Sequence, residues 1–330
     1  MKISVDAMGG DNAPRSVVEG CISALERGSD FTIQLVGDQN IVEPMLKEFG
    51  YTGKRIELIH ATQVIDGTDI PTKAIKEKKD SSIVVGLNLL KEKKTDSFLS
   101  CGNTGALLTG AMLISGRIKG IDRPALAPVI PTVNGKAMLI DAGLNSTCKL
   151  VNYLQFAELG MVYMREMFKL EKPRIGLLNV GTEENKGPEV VKEAYRRLSE
   201  LNTIHFVGNV EGRDLIEGAC DIAVCDGFVG NIVLKCYEGI GAYITSGIKD
   251  VFMRNIKSKL AASLIKDDIK AFFKQFDYED YGGTPILGIN GSVFKGHGSS
   301  KGKSVMYAVE CAVAFSKTNT LSELHAMYAK

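Results

Sequence analysis

Short apolar runs alternate with stretches of helical spacing along most of the chain. The pattern predicts strands over Ile3–Asp6, Phe31–Val36, Arg55–His60, Ser97–Ser100, Leu126–Ile130, Ala137–Asp141, Arg174–Asn179, Ile204–Val207 and Ile222–Cys225. It predicts helices over Pro14–Arg27, Ser81–Lys94, Leu150–Phe168, Pro188–Glu200 and Gly230–Phe252. Apolar strands separated by helices imply a mostly parallel sheet covered on both faces. The expected fold class is therefore α/β, doubly wound, in three layers. At 330 residues the chain is long for one compact core and suits two lobes around a cleft. No repeat or low-complexity linker marks where one lobe would end.

Ligands of such sheets bind at the carboxyl ends of strands, where the chain turns into the next helix. Six turns there are polar and built from small residues. They are Asp6–Pro14, Cys101–Gly105, Ala142–Lys149, Val180–Pro188, Asp226–Asn231 and His297–Ser300. Glycine lets backbone approach a ligand, and the free N–H groups of a helix start attract anions. Any one turn is equally an ordinary cap. Six of them, with Asn, Thr, Lys and His recurring, point to an anionic, phosphate-bearing ligand.

Composition narrows the picture. The apolar fraction of 45% supports large buried sheets, and 40 basic against 39 acidic side chains leave a net charge of +1. That balance gives no global attraction to nucleic acid, so electrostatic partners must be met locally. The seven cysteines are odd in number, follow no zinc spacing and mostly sit beside apolar residues, as reduced thiols do. Met1–Asp6 has the pattern of a strand, not a signal peptide, and no run approaches a membrane span. A cytoplasmic location is expected, with contact to a membrane surface left open.

The motifs Asp6-Ala7-Met8-Gly9-Gly10-Asp11, Gly102-Asn103-Thr104-Gly105-Ala106, Asn179-Val180-Gly181-Thr182-Glu183-Glu184, Cys225-Asp226-Gly227-Phe228-Val229-Gly230-Asn231, Tyr281-Gly282-Gly283 and His297-Gly298-Ser299-Ser300 closely resemble those of the bacterial phosphate:acyl-acyl-carrier-protein acyltransferases of phospholipid synthesis. The resemblance spans essentially the whole chain, in order. It implies a fold like isopropylmalate dehydrogenase and phosphotransacetylase, and a homodimer. It also implies a reaction in which long-chain acyl-carrier protein and inorganic phosphate give acyl phosphate and free carrier. The product would pass to a membrane glycerol-3-phosphate acyltransferase. Two positions depart from the family pattern: Cys101 stands where Ala is usual, and Thr147 where a carboxylate is common before Cys148-Lys149.

Phosphate is already an anion, so the implied reaction needs placement beside the thioester and donors for an oxyanion. Asn103, His297 and Lys149 are the expected catalytic residues. Asn103, Thr104 and the N–H groups around Gly105 suit one anion, Ser299 and Ser300 the other; Lys149 and Lys186 offset charge. His297 protonates the leaving thiolate or orients phosphate. Asp6, Gly9, Gly10, Gly102, Asn145, Asn179, Gly181, Thr182, Asp226 and Asn231 complete the expected binding set. Cys101 as an acyl-enzyme nucleophile competes with Cys101 as a small buried thiol, which the family's Ala favours. His60, His205 and His325 are expected to be structural. No metal spacing, Walker loop or dinucleotide fingerprint is present, so no cofactor and no metal are expected.

From Arg254 to Phe276, apolar residues recur at Ala261, Ile265, Ile269, Phe272 and Phe276, and six basic residues outweigh two acidic ones, a local net charge of 6 − 2 = +4. Such a segment lies on an anionic membrane or packs in a dimer. The resemblance implies a helical hairpin over residues 240–280 serving both, with Leu260, Leu264 and Ile265 inserting near its tip. The acidic carrier protein is expected on Arg117, Lys119 and Arg123, which could equally be a solvated face. Two alternatives remain open on sequence: a metal- and nicotinamide-dependent dehydrogenase of the same fold, and a membrane-docked scaffold that binds acyl-carrier protein without catalysis.

Overall fold

The computed structural model describes residues 1–269 and 282–329, which fall into two compact units. Tyr281, Phe272 and Phe276 lie outside the described residues. The first unit comprises Met1–Pro128, Glu158–Lys172 and Glu279–Lys330; the second comprises Val129–Ala157 and Pro173–Tyr278.

The first unit is built on a seven-stranded sheet. Its strands are β1 (Lys2–Asp6), β2 (Thr32–Gly37), β3 (Ile56–His60), β4 (Ser97–Ser100), β5 (Ala125–Leu126), β11 (Thr284–Leu287) and β12 (Ser292–Lys295), in the order β3-β2-β1-β4-β12-β11-β5. The β3-β2-β1-β4-β12 stretch is parallel, and β11 runs antiparallel to both its neighbours. Its helices are α1 (Arg15–Arg27), α2 (Gln39–Glu48), α3 (Pro71–Glu77), α4 (Ser82–Lys91), α5 (Thr104–Gly110) with a π turn over Ala111–Ser115, α11 (Gly302–Ser316) and α12 (Thr320–Tyr328). Buried Val17, Val18, Cys21, Ala24 and Leu25 give α1 its apolar stripe. A Cβ at Gly20 would lie 2.6 Å from the Gly302 carbonyl oxygen, so glycine is what lets α1 and α11 cross this closely. On α4, Gly86 leaves room for the fully buried Phe98 ring of β4. Removing that ring would cost about 3–5 kcal/mol.

The second unit carries a five-stranded sheet of β6 (Val129–Thr132), β7 (Gly135–Ile140), β8 (Arg174–Leu178), β9 (His205–Val210) and β10 (Ile222–Val224), ordered β6-β7-β10-β8-β9. Only β6 is antiparallel. Helices α7 (Glu189–Glu200), α8 (Gly212–Glu217), α9 (Gly227–Met253) and α10 (Ile256–Leu264) belong to it, and the chain passes between units within α6 (Leu150–Phe168).

The α/β class and the mostly parallel pairing agree with the sequence pattern. One predicted strand does not: Leu126–Ile130 divides into β5, paired with β11, and β6, paired with β7. Pro128 has no N–H to continue a ladder, and the chain leaves one sheet for the other there. In the stretch of helical spacing that begins at Arg254, α9 has ended at Met253, Asn255 caps α10, and α10 stops at Leu264 with Ile265 at φ −113°. The turn at Arg254–Asn255 thus precedes Leu260 and Leu264, which are 66% and 81% exposed on α10. No helix among the described residues is long and apolar enough to cross a membrane.

Candidate functional site

In the first unit the neighbouring strands β1, β4 and β12 bring three of the six polar turns together. Asp6 ends β1 at 1% exposure. Its carboxylate accepts the Ser100 hydroxyl at 2.6 Å and the Met8 amide at 3.1 Å, and Ser82 and the Gly9 amide also donate to it. Burial raises its pKa, and these hydrogen bonds pull it back down. Asp6 is therefore a clamp between turns, where the sequence suggested a substrate contact. Gly9 lies against Gly102: a Cβ on it would be 2.7 Å from the Gly102 nitrogen. Gly10, at φ +112°, needs the freedom of glycine. The Asp11 amide donates to the Gly298 carbonyl (2.8 Å), and the Asn12 side chain to the Ser299 and Ser300 carbonyls (3.0 and 3.3 Å), tying the third turn to the first.

Asn103 caps α5: its Oδ1 accepts the Ala106 amide at 3.0 Å, and its Nδ2 donates to the Asp66 carbonyl at 2.9 Å. Both ends of that amide hold protein, so Asn103 shapes the turn, while Thr104 stands exposed on it. Pro71 packs at Gly105, leaving no space there for a side chain. In the last turn His297 and Ser299 are exposed and Ser300 is buried. The His297 Nδ1 accepts the Ser299 amide at 3.3 Å and lies 2.8 Å from the Ser299 hydroxyl. An accepting Nδ1 puts the proton of a neutral ring on Nε2. Cys101, at 5% exposure, has its thiol pushed up to about 11 by burial and then by the Asp6 charge. That is the setting of an inert buried thiol.

In the second unit, Asp141 after β7 plays the same architectural part as Asp6. Its carboxylate accepts the Leu144 and Asn145 amides and the Asn145 side chain, at 2.7–3.2 Å. The Gly227 amide donates to the Asn145 carbonyl at 2.7 Å, and Gly230 is pressed against the Asp141 carbonyl. Asp226 caps α9 through the Val229 amide at 2.9 Å, and Tyr153 donates to it at 3.4 Å. Asn231 lies beside Gly143, and Lys149 is exposed. Asn145 is thus buried and held by the scaffold, whereas Asn103, which caps its own turn in the first unit, is half-buried. The Asn179 turn closes on itself, with Nδ2 donating to the Lys186 carbonyl at 3.0 Å, and Asn209 holds it from β9 through the Glu183 carbonyl at 2.8 Å. Gly181 is buried; Thr182 and Lys186 are exposed, with the Lys186 ammonium 3.8 Å from Glu183.

Ser82, Ser100, Asp66 and Asn12 were not expected at the site, and local pattern carries no sign of them because their partners lie far along the chain. Arg117 and Lys119 are exposed and Arg123 half-buried on one loop, where the Arg117 guanidinium donates to the Asp122 carbonyl and Arg123 lies 4.0 Å from the Asp122 carboxylate.

Residues 1–323 match the family described as “Fatty acid synthesis protein”. The chain is 52% identical to the phosphate acyltransferase of Acetivibrio thermocellus over 324 residues, covering 98% of this chain and 95% of that protein. The chain belongs to the phosphate acyltransferase family. It is also 44% identical to the phosphate acyltransferase of Clostridioides difficile, over 100% of this chain and 97% of that protein. Family membership makes it an acyltransferase, and the scaffold and dehydrogenase alternatives fall away. A phosphotransacetylase from Streptococcus pyogenes shares the fold, with a TM-score of 0.65 at 17% identity over 96% of this chain and 94% of that one. The EutD phosphotransacetylase of Staphylococcus aureus does so at 0.62 and 14% identity, over 96% and 94%.

Proposed function

We propose that the chain transfers the acyl group of a long-chain acyl-carrier protein to inorganic phosphate, releasing acyl phosphate and free carrier. The observation that carries this is the full-length family match, joined to turns whose backbone is fixed by buried carboxylates while hydroxyl, imidazole and ammonium groups face outward. A phosphate oxygen bonds to the thioester carbonyl carbon, the C–S bond breaks, and the thiolate takes a proton. In the first unit, Thr104, Ser299, the turn amides and the His297 Nε2–H supply donors for an anion, and the proton that the thiolate takes is the one hydrogen phosphate loses as it becomes acyl phosphate. In the second unit, Lys149, Thr182, Lys186 and Asn231 are the proposed charge-offsetting and binding groups. No redox or metal step is needed for this bond exchange.

Arg117, Lys119 and Arg123 are proposed to receive the acidic carrier. The exposed apolar residues Leu260, Leu264 and Ile265 support a proposed membrane contact, and the exposed length of α9 and α10 supports a proposed homodimer. A nearby membrane acyltransferase acting on glycerol 3-phosphate would then consume the product. The test is release of carrier thiol from long-chain acyl-carrier protein by the purified chain. Release that requires phosphate is the expected result; release that is equal without phosphate overturns the proposal.

A further inference from the structure

The short connection Lys78–Ser81, between α3 and α4, holds the loop that follows β3. The Lys78 ammonium donates to the Asp69 carboxylate at 2.6 Å and to the Val64 carbonyl at 2.8 Å. The same Asp69 oxygen accepts the Asp66 amide at 2.8 Å. The Asp66 carbonyl in turn accepts the Asn103 side chain, whose other end caps α5. At the base of the loop, the Asp80 carboxylate accepts the Thr62 amide at 2.9 Å and the Thr62 hydroxyl at 2.5 Å. Just beyond the connection, Ser82 donates to Asp6, the clamp of the first turn. Past Asp69 the loop ends at Pro71, which packs at Gly105. One short connection thus holds the loop, and the loop meets the Asn103–Gly105 turn at two points.

We propose that Lys78 is a positioning residue for the acyl transfer proposed above, acting through Asp69 and Asp66 on Asn103 and so on the Thr104 turn; the proposal rests on that function. The loop from Val64 to Ile70 forms neither helix nor strand, and a Cβ on Gly67 would meet nothing within 4 Å. Its shape therefore comes from these few hydrogen bonds. Without the ammonium, the Val64 carbonyl and the Asp69 carboxylate lose their shared donor, and two acceptors are left side by side. The pair also differs from an ordinary surface ion pair. The Lys78 and Asp69 side chains are 31% and 26% exposed, so solvent screens them only in part. On the same α3, Lys73 and Glu77 are 66% and 63% exposed and 4.0 Å apart, and such a pair contributes almost nothing.

The experiment measures phosphate-dependent thiol release and amide hydrogen exchange in the full-length chain, Lys78→Met, Asn103→Ala and the double variant, with Lys73→Met as control. Lys78→Met should lower kcat about tenfold, the share of a hundredfold loss per ångström that a shift of about half an ångström carries. The double variant should stay within about twofold of Asn103→Ala, because both changes cut one run of contacts. Two independent structural losses would multiply instead. The Ala106 amide, capped by Asn103, should exchange faster in Lys78→Met than in the wild type. Lys78→Arg, which keeps the charge and the donors, should restore most of the rate, and Lys73→Met should match the wild type on both measures. Wild-type kcat in a folded Lys78→Met protein, or losses that multiply in the double variant, overturn the proposal. Should Lys78→Met fail to fold by thermal midpoint, Asp69→Asn, which keeps the shape and loses the charge, is read by the same criteria. The two readings fail separately: no phosphate-dependent release by the wild type defeats the acyl-transfer function, whereas exchange at Ala106 needs no substrate and still tests the path from Lys78.

Discussion

Gly9→Ala tests whether the close approach of the first two turns positions the chemistry. A Cβ on Gly9 would sit 2.3 Å from the Asp6 carboxylate, 2.7 Å from the Gly102 nitrogen and 2.9 Å from the Gly102 Cα. Ordinary contact begins near 3.4 Å, so the backbone and carboxylate must separate by about 0.7–1.1 Å. Neither neighbour yields freely. Gly102 is main chain held to the Ser100 hydroxyl, and Asp6 is fully buried and hydrogen-bonded on several sides. Overpacking of this kind costs about 1–3 kcal/mol of stability. The same displacement moves the Thr104 turn, and a shift of about 1 Å in a reacting geometry costs about a hundredfold in turnover. The assay is phosphate-dependent thiol release by Gly9→Ala beside Gly239→Ala, whose added Cβ meets nothing within 4 Å. The expected result is a fall in kcat of about a hundredfold in the first and wild-type kinetics in the second. A folded Gly9→Ala protein with wild-type kcat would refute the reasoning.

Three further outcomes follow from the same geometry. Asn103→Ala loses the cap and the Asp66 tether and should lower stability by about 1 kcal/mol along with turnover, whereas Asn103→Asp keeps an accepting oxygen and should retain most of the stability while losing turnover, as read by thermal midpoint and rate. The Cys101 thiol, pushed up to about 11, stays protonated at neutral pH, so iodoacetamide should label exposed Cys236 and spare Cys101, and Cys101→Ser should keep full activity; mass mapping and the rate check both. Changing Leu260 and Leu264 together to Glu should abolish sedimentation with anionic vesicles and leave carrier release in solution unchanged, because both side chains are exposed on α10.

Much of this architecture is legible in the chain because glycine, Asn and Ser cluster where apolar runs end. Asp6, Ser100 and Gly102 could be placed at strand ends from period and punctuation alone. Their roles could not. Asp6 clamps because Ser100, 94 residues away, ends the neighbouring strand, and Asn103 is spent on Asp66, 37 residues away. Periodicity reports which face an element buries, not which distant element covers it. The division of Leu126–Ile130 between two sheets had one local sign, Pro128, but nothing in the run says that its two halves join different ladders. Strand β11 is short and carries Pro285, which masks a strand that pairs on both sides. The exposed start of α9 stood in the motif through Phe228 and Val229, but sequence alone does not tell an exposed apolar residue from a buried one.

The central claim is that phosphate itself attacks the thioester. It is tested most directly by incubating the purified chain with long-chain acyl-carrier protein and phosphate, then trapping acyl phosphate as its hydroxamate while counting free carrier thiol. One hydroxamate for each thiol released, with neither formed when phosphate is left out, is the predicted result. Thiol released without hydroxamate, or at the same rate without phosphate, would show that water is the acceptor and would contradict the account.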